Sequence, residues 1–222
     1  MHPLVRDWPL FGLRVRCADV ELRLPDESDL AALAEIARAG IHDPAVMPFS
    51  VPWTDAAPDT RARGVLQYQW GRWAAWSATK WFLELAVVRA GVVVGLQGVF
   101  ADEFAVRRSV STGSYLGLAH QGQGTGKLMR HAVVHLAFAG LDAREARSAA
   151  LAGNEASSGV SRALGYVEDG TEAQSPRGVA VTATRYLLTR ERWEETERPT
   201  VEIEGLEPCL PMFGIEGPPH LE

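Results

Sequence analysis

Six consecutive residues carry the most chemistry in the chain: Gln121-Gly122-Gln123-Gly124-Thr125-Gly126. They stand between an apolar run and a helix-forming one. Such a turn aims several backbone N–H groups, and the positive end of a helix dipole, at one point. An anion belongs there, because glycine lets a phosphate approach the backbone and accepts φ > 0. A Walker A loop requires Lys followed by Ser or Thr, whereas Lys127 precedes Leu128. A dinucleotide fingerprint spaces its glycines Gly-x-Gly-x-x-Gly inside a βαβ unit, and here they run Gly-x-Gly-x-Gly after a hairpin. A phosphate cradle of another kind is expected, with a plain tight turn as the alternative.

Acid–base chemistry would need a carboxylate near this turn. Glu84 interrupts an apolar run, and strand alternation places it on one face with Phe82 and Ala86, where an acid is either paired or functional. Asp102 and Glu103 follow the next apolar run. Each is a candidate base, set against an ordinary salt-bridged or rim carboxylate. Between residues 43 and 58, four prolines alternate with Met47, Phe49, Val51 and Trp53. His42, Phe49 and Trp53 are therefore candidates to line a binding cleft, or else part of a rigid plug. His131 and His135 lie four apart on a helix without the glutamate or third ligand of a zinc site, so a solvated helix face is expected and no metal. Cys17 and Cys209 fit no metal or disulfide spacing and are expected to be reduced.

The elements that would position these residues follow from periodicity and caps. Residues 20–24 alternate as a strand; Asp26 then caps a helix that Gly40 stops. Asp59 is expected to cap a second helix reaching about Ala78. Strands at 81–88 and 92–101 form a hairpin about Arg89-Ala90-Gly91. A third strand, 110–118, enters the glycine turn, and a helix runs from 125 to 140. A strand at 146–151, a helix opened by Asn154 and ended by Gly165, and strands near 166–171 and 182–188 complete one domain, residues 1–190. Residues 191–222 form an acidic, proline-rich arm with a short strand at 201–203.

With 222 residues, 46% hydrophobic and 23% charged, the chain suits one globular domain. Its apolar runs fall short of the roughly 18 to 20 residues that span a bilayer. Arg6, Asp7, Arg14 and Arg16 break any secretory h-region, so the expected place is the cytoplasm, away from membranes. Net charge is −6, and the arm alone holds nine acids against Arg192 and Arg198. The body is thus near neutral, and nucleic acid is a poor partner. The arm's Val201, Ile203, Leu206, Leu210, Met212 and Phe213 should pack on the domain or a partner subunit, and a homo-oligomer, dimer or higher, is expected.

Order and residues together resemble the GCN5-related N-acetyltransferase (GNAT) superfamily, in the branch of the ribosomal-protein alanine acetyltransferases. Gln121, Gly124 and Gly126 match its Gln/Arg-x-x-Gly-x-Gly/Ala signature. Asn154-Glu155-Ala156-Ser157 and Leu164-Gly165-Tyr166 match Asn-x-x-Ser and Leu-Gly-Phe, and Thr112 to Gly117 stands where the branch has Gly-Tyr-Trp-Leu. The similarity covers about residues 20–190. It implies an α+β (α/β/α-like) fold, a mixed, mostly antiparallel sheet of about seven strands flanked by helices. It also implies direct acyl transfer from a coenzyme A (CoA) thioester, acetyl-CoA or succinyl-CoA, to an amine of a protein N-terminus, a lysine or a small molecule.

By the same resemblance, the N–H groups of Gln123, Gly124, Thr125 and Gly126 bind the pyrophosphate, with Gln121, Gly122 and Lys127 in the same turn. Leu116, Gly117 and Leu118 pair with the pantetheine, and the Leu118 N–H serves the oxyanion. Ser157, beside Asn154, stabilises the thiolate, because Ser161 stands where many members have tyrosine. Ser114 and Tyr115 join His42, Phe49 and Trp53 on the acceptor side. Arg107, Arg108 or Arg130 would suit an acidic acyl group if one faced the thioester. Strand 110–118 carries no acid, which keeps a second class open, a CoA-binding or assembly module without turnover. A nucleotide-binding protein of another family would instead prefer ATP or NAD.

Overall fold

Sheet and helix are laid down in the order the hydrophobic periods dictate. The structure, a computed structural model, describes residues 2–215. Among them the strands are β1 (Arg14–Cys17), β2 (Val20–Arg23), β3 (Lys80–Arg89), β4 (Val92–Asp102), β5 (Ser109–Leu116), β6 (Glu145–Leu151), β7 (Val167–Gln174), β8 (Val181–Thr189) and β9 (Val201–Glu204). The helices are α1 (Glu27–Ala39), α2 (Pro58–Ala74), α3 (Phe104–Arg107), α4 (Thr125–His135), α5 (Glu155–Ala163) and α6 (Arg190–Glu195). One sheet has the order β7-β8-β6-β5-β4-β3-β2-β1-β9. Only β5 and β6 run parallel in it.

The fold is the mixed, mostly antiparallel α+β architecture expected, with nine strands in place of about seven. The additional pair, β1 and β9, sits at one edge. β1 offers only Val15 and Cys17 to the core, too short a period-two signal to read.

Both faces of the central strands are covered, which is why β3 and β4 read as almost unbroken apolar runs. Trp81, Leu83, Leu85, Val87 and Val99 share a core with Met129, Val133 and Leu136 of the α4 region. On the opposite face, Ala86 and Leu96 pack on Leu33 and Ala37 of α1 and Val65 of α2. Asp26 caps α1 through a reciprocal bond with Asp29, as its position suggests. α2 departs from expectation at both ends. Its cap is Ala57, because Pro58 is already set for the first helical turn, and it ends at Ala74, before a tight turn in which Ser77 bridges Lys80. α4 continues into a wider π turn at Leu136–Gly140. α3 and α6 fold from segments read as polar loop and irregular arm.

The arm belongs to the core of its own chain. Trp193 of α6 stacks on Phe138 at 5.1 Å, β9 pairs with β1, and Cys209, Leu210 and Phe213 are buried in the main core. Trp76 Nε1 donates to the Met212 carbonyl at 2.9 Å. The arm's last residues, 216–222, lie outside the described ones. Both cysteines are free and buried, and burial pushes the Cys209 thiol up to about 12. Among the described residues no helix is long and apolar enough to cross a membrane.

Candidate active site

β5 and β6 pair at only three positions: Ser109 with Glu145, Val110 with Ala146, and Ser111 with Arg147. Beyond these the strands part. β5 stays paired with β4 and β6 with β8, so the edges facing each other across the split carry unpaired backbone groups. The Gly117 N–H points toward β4, donating to the Val94 carbonyl at 2.9 Å. Alternation therefore turns the N–H groups of Leu116 and Ser114 into the split, while that of Thr112 lies at the last paired position, facing the Arg147 carbonyl. Unpaired strand groups need a partner, and an extended amide-bearing chain supplies one.

The glycine turn lies at the open end. Gly122 (φ +71°) and Gly124 (φ +81°) take the left-handed conformation, and Gly124 is the N-cap of α4. Among the described residues, the N–H groups of Gly122, Gln123, Gly124, Thr125 and Gly126 have no protein acceptor outside α4. A Cβ at Gly126 would rest in ordinary van der Waals contact with Val160 of α5, at 3.5 Å. The Gln121 side chain is committed to structure, donating to the carbonyls of Ile41 at 2.7 Å and Leu116 at 2.9 Å. Lys127 stands exposed on the first turn of α4. Sequence reasoning missed Arg89. Its guanidinium donates to the Gln123 carbonyl at 3.0 Å and Thr125 Oγ1 at 2.8 Å, and pairs with Asp19 at 2.7 Å, tying the β3–β4 hairpin to the turn.

On the α1–α2 face of the sheet, Glu84 is opposite Gly98, and Gly98 is opposite Gly113, so the carboxylate and two side-chain-free positions lie in one row. A Cβ at Gly98 would come within 2.5 Å of Glu84 Oε2; only glycine leaves the carboxylate its place. Gly113 is exposed although its strand is central. Glu84 is 6% exposed, and Tyr68 donates to its Oε1 at 2.6 Å. Burial pushes the carboxyl above the usual range, and the Tyr68 bond and the Arg72 charge partly offset this. Arg72 itself rests on the rings of Tyr68 and Phe82. An aromatic chain leads away from this carboxylate, with centroids 5.6 Å apart for Tyr115–Trp53, 5.6 Å for Trp53–Phe49 and 5.7 Å for Phe49–His42. His42 Nε2 is 2.7 Å from Thr54 Oγ1.

The remaining candidates divide between the surroundings of the split and places away from it. Ser114 points to the opposite face from Tyr115, toward Arg130 of α4. Asp102 pairs with Lys80 at 3.3 Å, at the far end of β4 and about 30 Å from the hairpin that holds the glycine turn. Glu103 follows it there. Leu118 lies past the end of β5 in a short 3₁₀ turn, half exposed at the mouth of the split. Asn154 caps α5, accepting from the Ser157 N–H at 3.1 Å, and its Nδ2 reaches the Pro48 carbonyl at 3.5 Å. Ser157 is half-buried in the first turn. His131 and His135 are half-buried rather than solvated, because the arm covers them: His135 meets the Trp193 ring at 5.7 Å, and burial with the Arg198 charge holds both below their ordinary range. No cluster of metal-binding side chains occurs among the described residues.

A strap crosses the α1–α2 side of the split. Arg177, at the tip of the β7–β8 hairpin, pairs through two nitrogens with Asp55 at 2.8 and 2.5 Å and donates to the Pro44 carbonyl at 3.0 Å. The hairpin belongs to the β6 half of the sheet, whereas the Asp55 loop packs Trp53 on Tyr115 of β5. A cavity of about 390 Å³ beside the strap is lined by His42, Thr54, Asp55, Arg61 and Arg177.

A mixed sheet split beside a glycine turn and flanked by helices is the layout of the acetyltransferase fold. The family model described as Acetyltransferase (GNAT) domain matches residues 19–167, and the chain belongs to that family. Solved structures share the architecture at low identity. RimJ of Mycobacterium smegmatis, in complex with CoA-disulfide, is 16% identical, with 84% of this chain and 88% of that one covered and a TM-score of 0.65. RimL, the ribosomal L7/L12 alpha-N-protein acetyltransferase, in complex with CoA, is 19% identical over 79% of this chain and 96% of its own, TM-score 0.61. The ribosomal-protein-S5-alanine acetyltransferase of Vibrio fischeri is 17% identical over 81% and 98%, TM-score 0.59.

Proposed function

We propose that the protein is an acyl-CoA-dependent N-acyltransferase acting on a primary amine, with a protein or peptide α-amine as the favoured acceptor class. One observation carries this: the free amides of the glycine turn, the unpaired edges of the split and the Glu84 row form one path. The free amides of residues 122–126 and the β5 edge fit an anionic head and an amide-bearing arm, so Gln123, Gly124, Thr125 and Gly126 would hold the pyrophosphate and Leu116 and Ser114 the pantetheine. Bound there, acyl-CoA supplies an activated acyl carbon: a C–N bond forms, the C–S bond breaks, and one proton leaves the amine.

The chain's residues divide the remaining work. Glu84 receives the amine proton, directly or through a water, and its raised pKa brings it nearer to an α-amine at about 7.7 to 8.0. Ser114, whose N–H faces into the split, replaces Leu118 as donor to the acyl oxygen. Ser157 donates to the departing sulfur. Trp53, Phe49 and His42 form the acceptor wall. The neighbour RimL, named an alpha-N-protein acetyltransferase, and the neighbour named a ribosomal-protein-S5-alanine acetyltransferase support this acceptor class. We further propose a cytoplasmic enzyme that works as a homodimer, which gel filtration of the full chain checks.

The test is transfer itself. Purified protein is given acetyl-CoA or succinyl-CoA with peptides bearing a free N-terminus, a lysine peptide blocked at its terminus, or a small amine, and thiol release and product mass are followed. Acylated α-amine is expected with the parent, and at least about a hundredfold less with Glu84→Gln. CoA binding without product from any amine would leave the non-enzymatic CoA-binding module.

A further inference from the structure

Arg130 is 3% exposed, and among the described residues it makes no salt bridge. Of its five N–H donors, Nη1 reaches Ser148 Oγ at 3.2 Å, Nη2 is 3.5 Å from Ser114 Oγ, and Nε is buried with no partner. Neutral hydroxyl contacts do not compensate a buried cation, which is otherwise kept with an anion beside it. Acceptors gather here as well. Gln97 is the cross-strand neighbour of Ser114, and its buried Oε1 lacks a partner, while the buried Tyr166 hydroxyl stands beside Arg130 and Thr112 as a further neutral acceptor.

The position of this cation is informative. Ser114 lies on β5 and Ser148 on β6, both just past the last paired residues, so the guanidinium sits beneath the point where the split opens. Ser114 is half-exposed, and it turns its N–H into the split while its hydroxyl meets Arg130. One residue thus joins the proposed acyl-oxygen donor to a buried positive charge. Arg107 and Arg108 do not compete for this role, since Arg107 is exposed and Arg108 donates to the Leu141 carbonyl beside Phe104.

We propose that Arg130, with Ser114 and Ser148, recognises a carboxylate at the end of the acyl group, so that the preferred donor is the CoA thioester of a short dicarboxylic acid. This rests on the acyltransferase reading and names its donor class. A guanidinium matches a carboxylate bidentately, and each serine oxygen that accepts from Arg130 still has its own proton to donate.

Calorimetric titration with acetyl-CoA, succinyl-CoA and glutaryl-CoA tests this without turnover. In the parent, one dicarboxylic thioester should bind about 10- to 100-fold more tightly than acetyl-CoA, the range a charge-assisted hydrogen bond gives. In Arg130→Met, a near-isosteric apolar replacement, that ratio should fall to about one, and in Ser114→Ala it should shrink. Should Arg130→Met fail to fold, Ser114→Ala and the ligand-dependent shift in melting temperature carry the test. Equal affinities in the parent, or a preference that survives Arg130→Met, would overturn the proposal. If no thioester binds the parent at all, the acyltransferase reading fails first, and the two failures are thereby told apart.

Discussion

Glu84 is a buried acid kept ionisable by Tyr68 and Arg72, and this balance makes its behaviour testable. A base must be deprotonated, so turnover should fall as pH drops through its raised pKa. Tyr68→Phe removes a bond that favours the charged form. The acid limb of the rate profile should then move to higher pH, whereas an unmoved limb would show that another group titrates. Stability runs the other way. A carboxyl whose folded pKa is raised costs stability above that pKa and costs nothing below its unfolded value, so Glu84→Gln should raise the melting temperature at neutral pH while abolishing transfer. Gly98→Ala should displace the carboxylate and lose activity with the fold retained. Glu84 was legible because it breaks an apolar strand. Its partner Tyr68 was not, because sixteen residues and a helix–sheet contact separate them, and the Ser114 hydroxyl faces α4, away from Tyr115, because adjacent strand residues face opposite sides.

At the scale of elements, local chemistry was readable and long-range geometry was not. Asp26 and Asn154 cap their helices as their positions suggest, and the hairpin and the glycine turn lie where the sequence puts them. The split between β5 and β6 leaves no mark in either strand, since it is a failure to pair. The strap is equally silent: Arg177 and Asp55 are 122 positions apart. It braces the turn that carries Trp53. An exposed pair is worth about 0.2 to 1 kcal/mol, so Arg177→Glu should raise KM for the acceptor only severalfold, as should added salt, with little change in melting temperature. Combining Asp55→Arg with Arg177→Asp should restore the parent KM. A KM indifferent to Arg177→Glu and to added salt would remove the strap from the acceptor site.

For the whole molecule, the acidic arm is a structural part of the domain. Its apolar residues signalled packing, but only the fold shows β9 as the sheet edge and Phe213 in the main core. Phe213→Ala should cost about 3 to 5 kcal/mol, and a chain ending at Arg190 should aggregate or unfold. A soluble, cooperatively melting truncation would contradict this. The claim on which the function rests is that the glycine turn holds the anionic head of an acyl-CoA. Calorimetric titration of the full chain with CoA and acetyl-CoA, beside Gly124→Glu, tests it most directly. The expected result is saturable binding to the parent and at least about a hundredfold weaker binding to the variant, which puts a negative charge at the N-cap of α4. Equal binding to both proteins, or none to the parent, would mean that the turn cradles no such group.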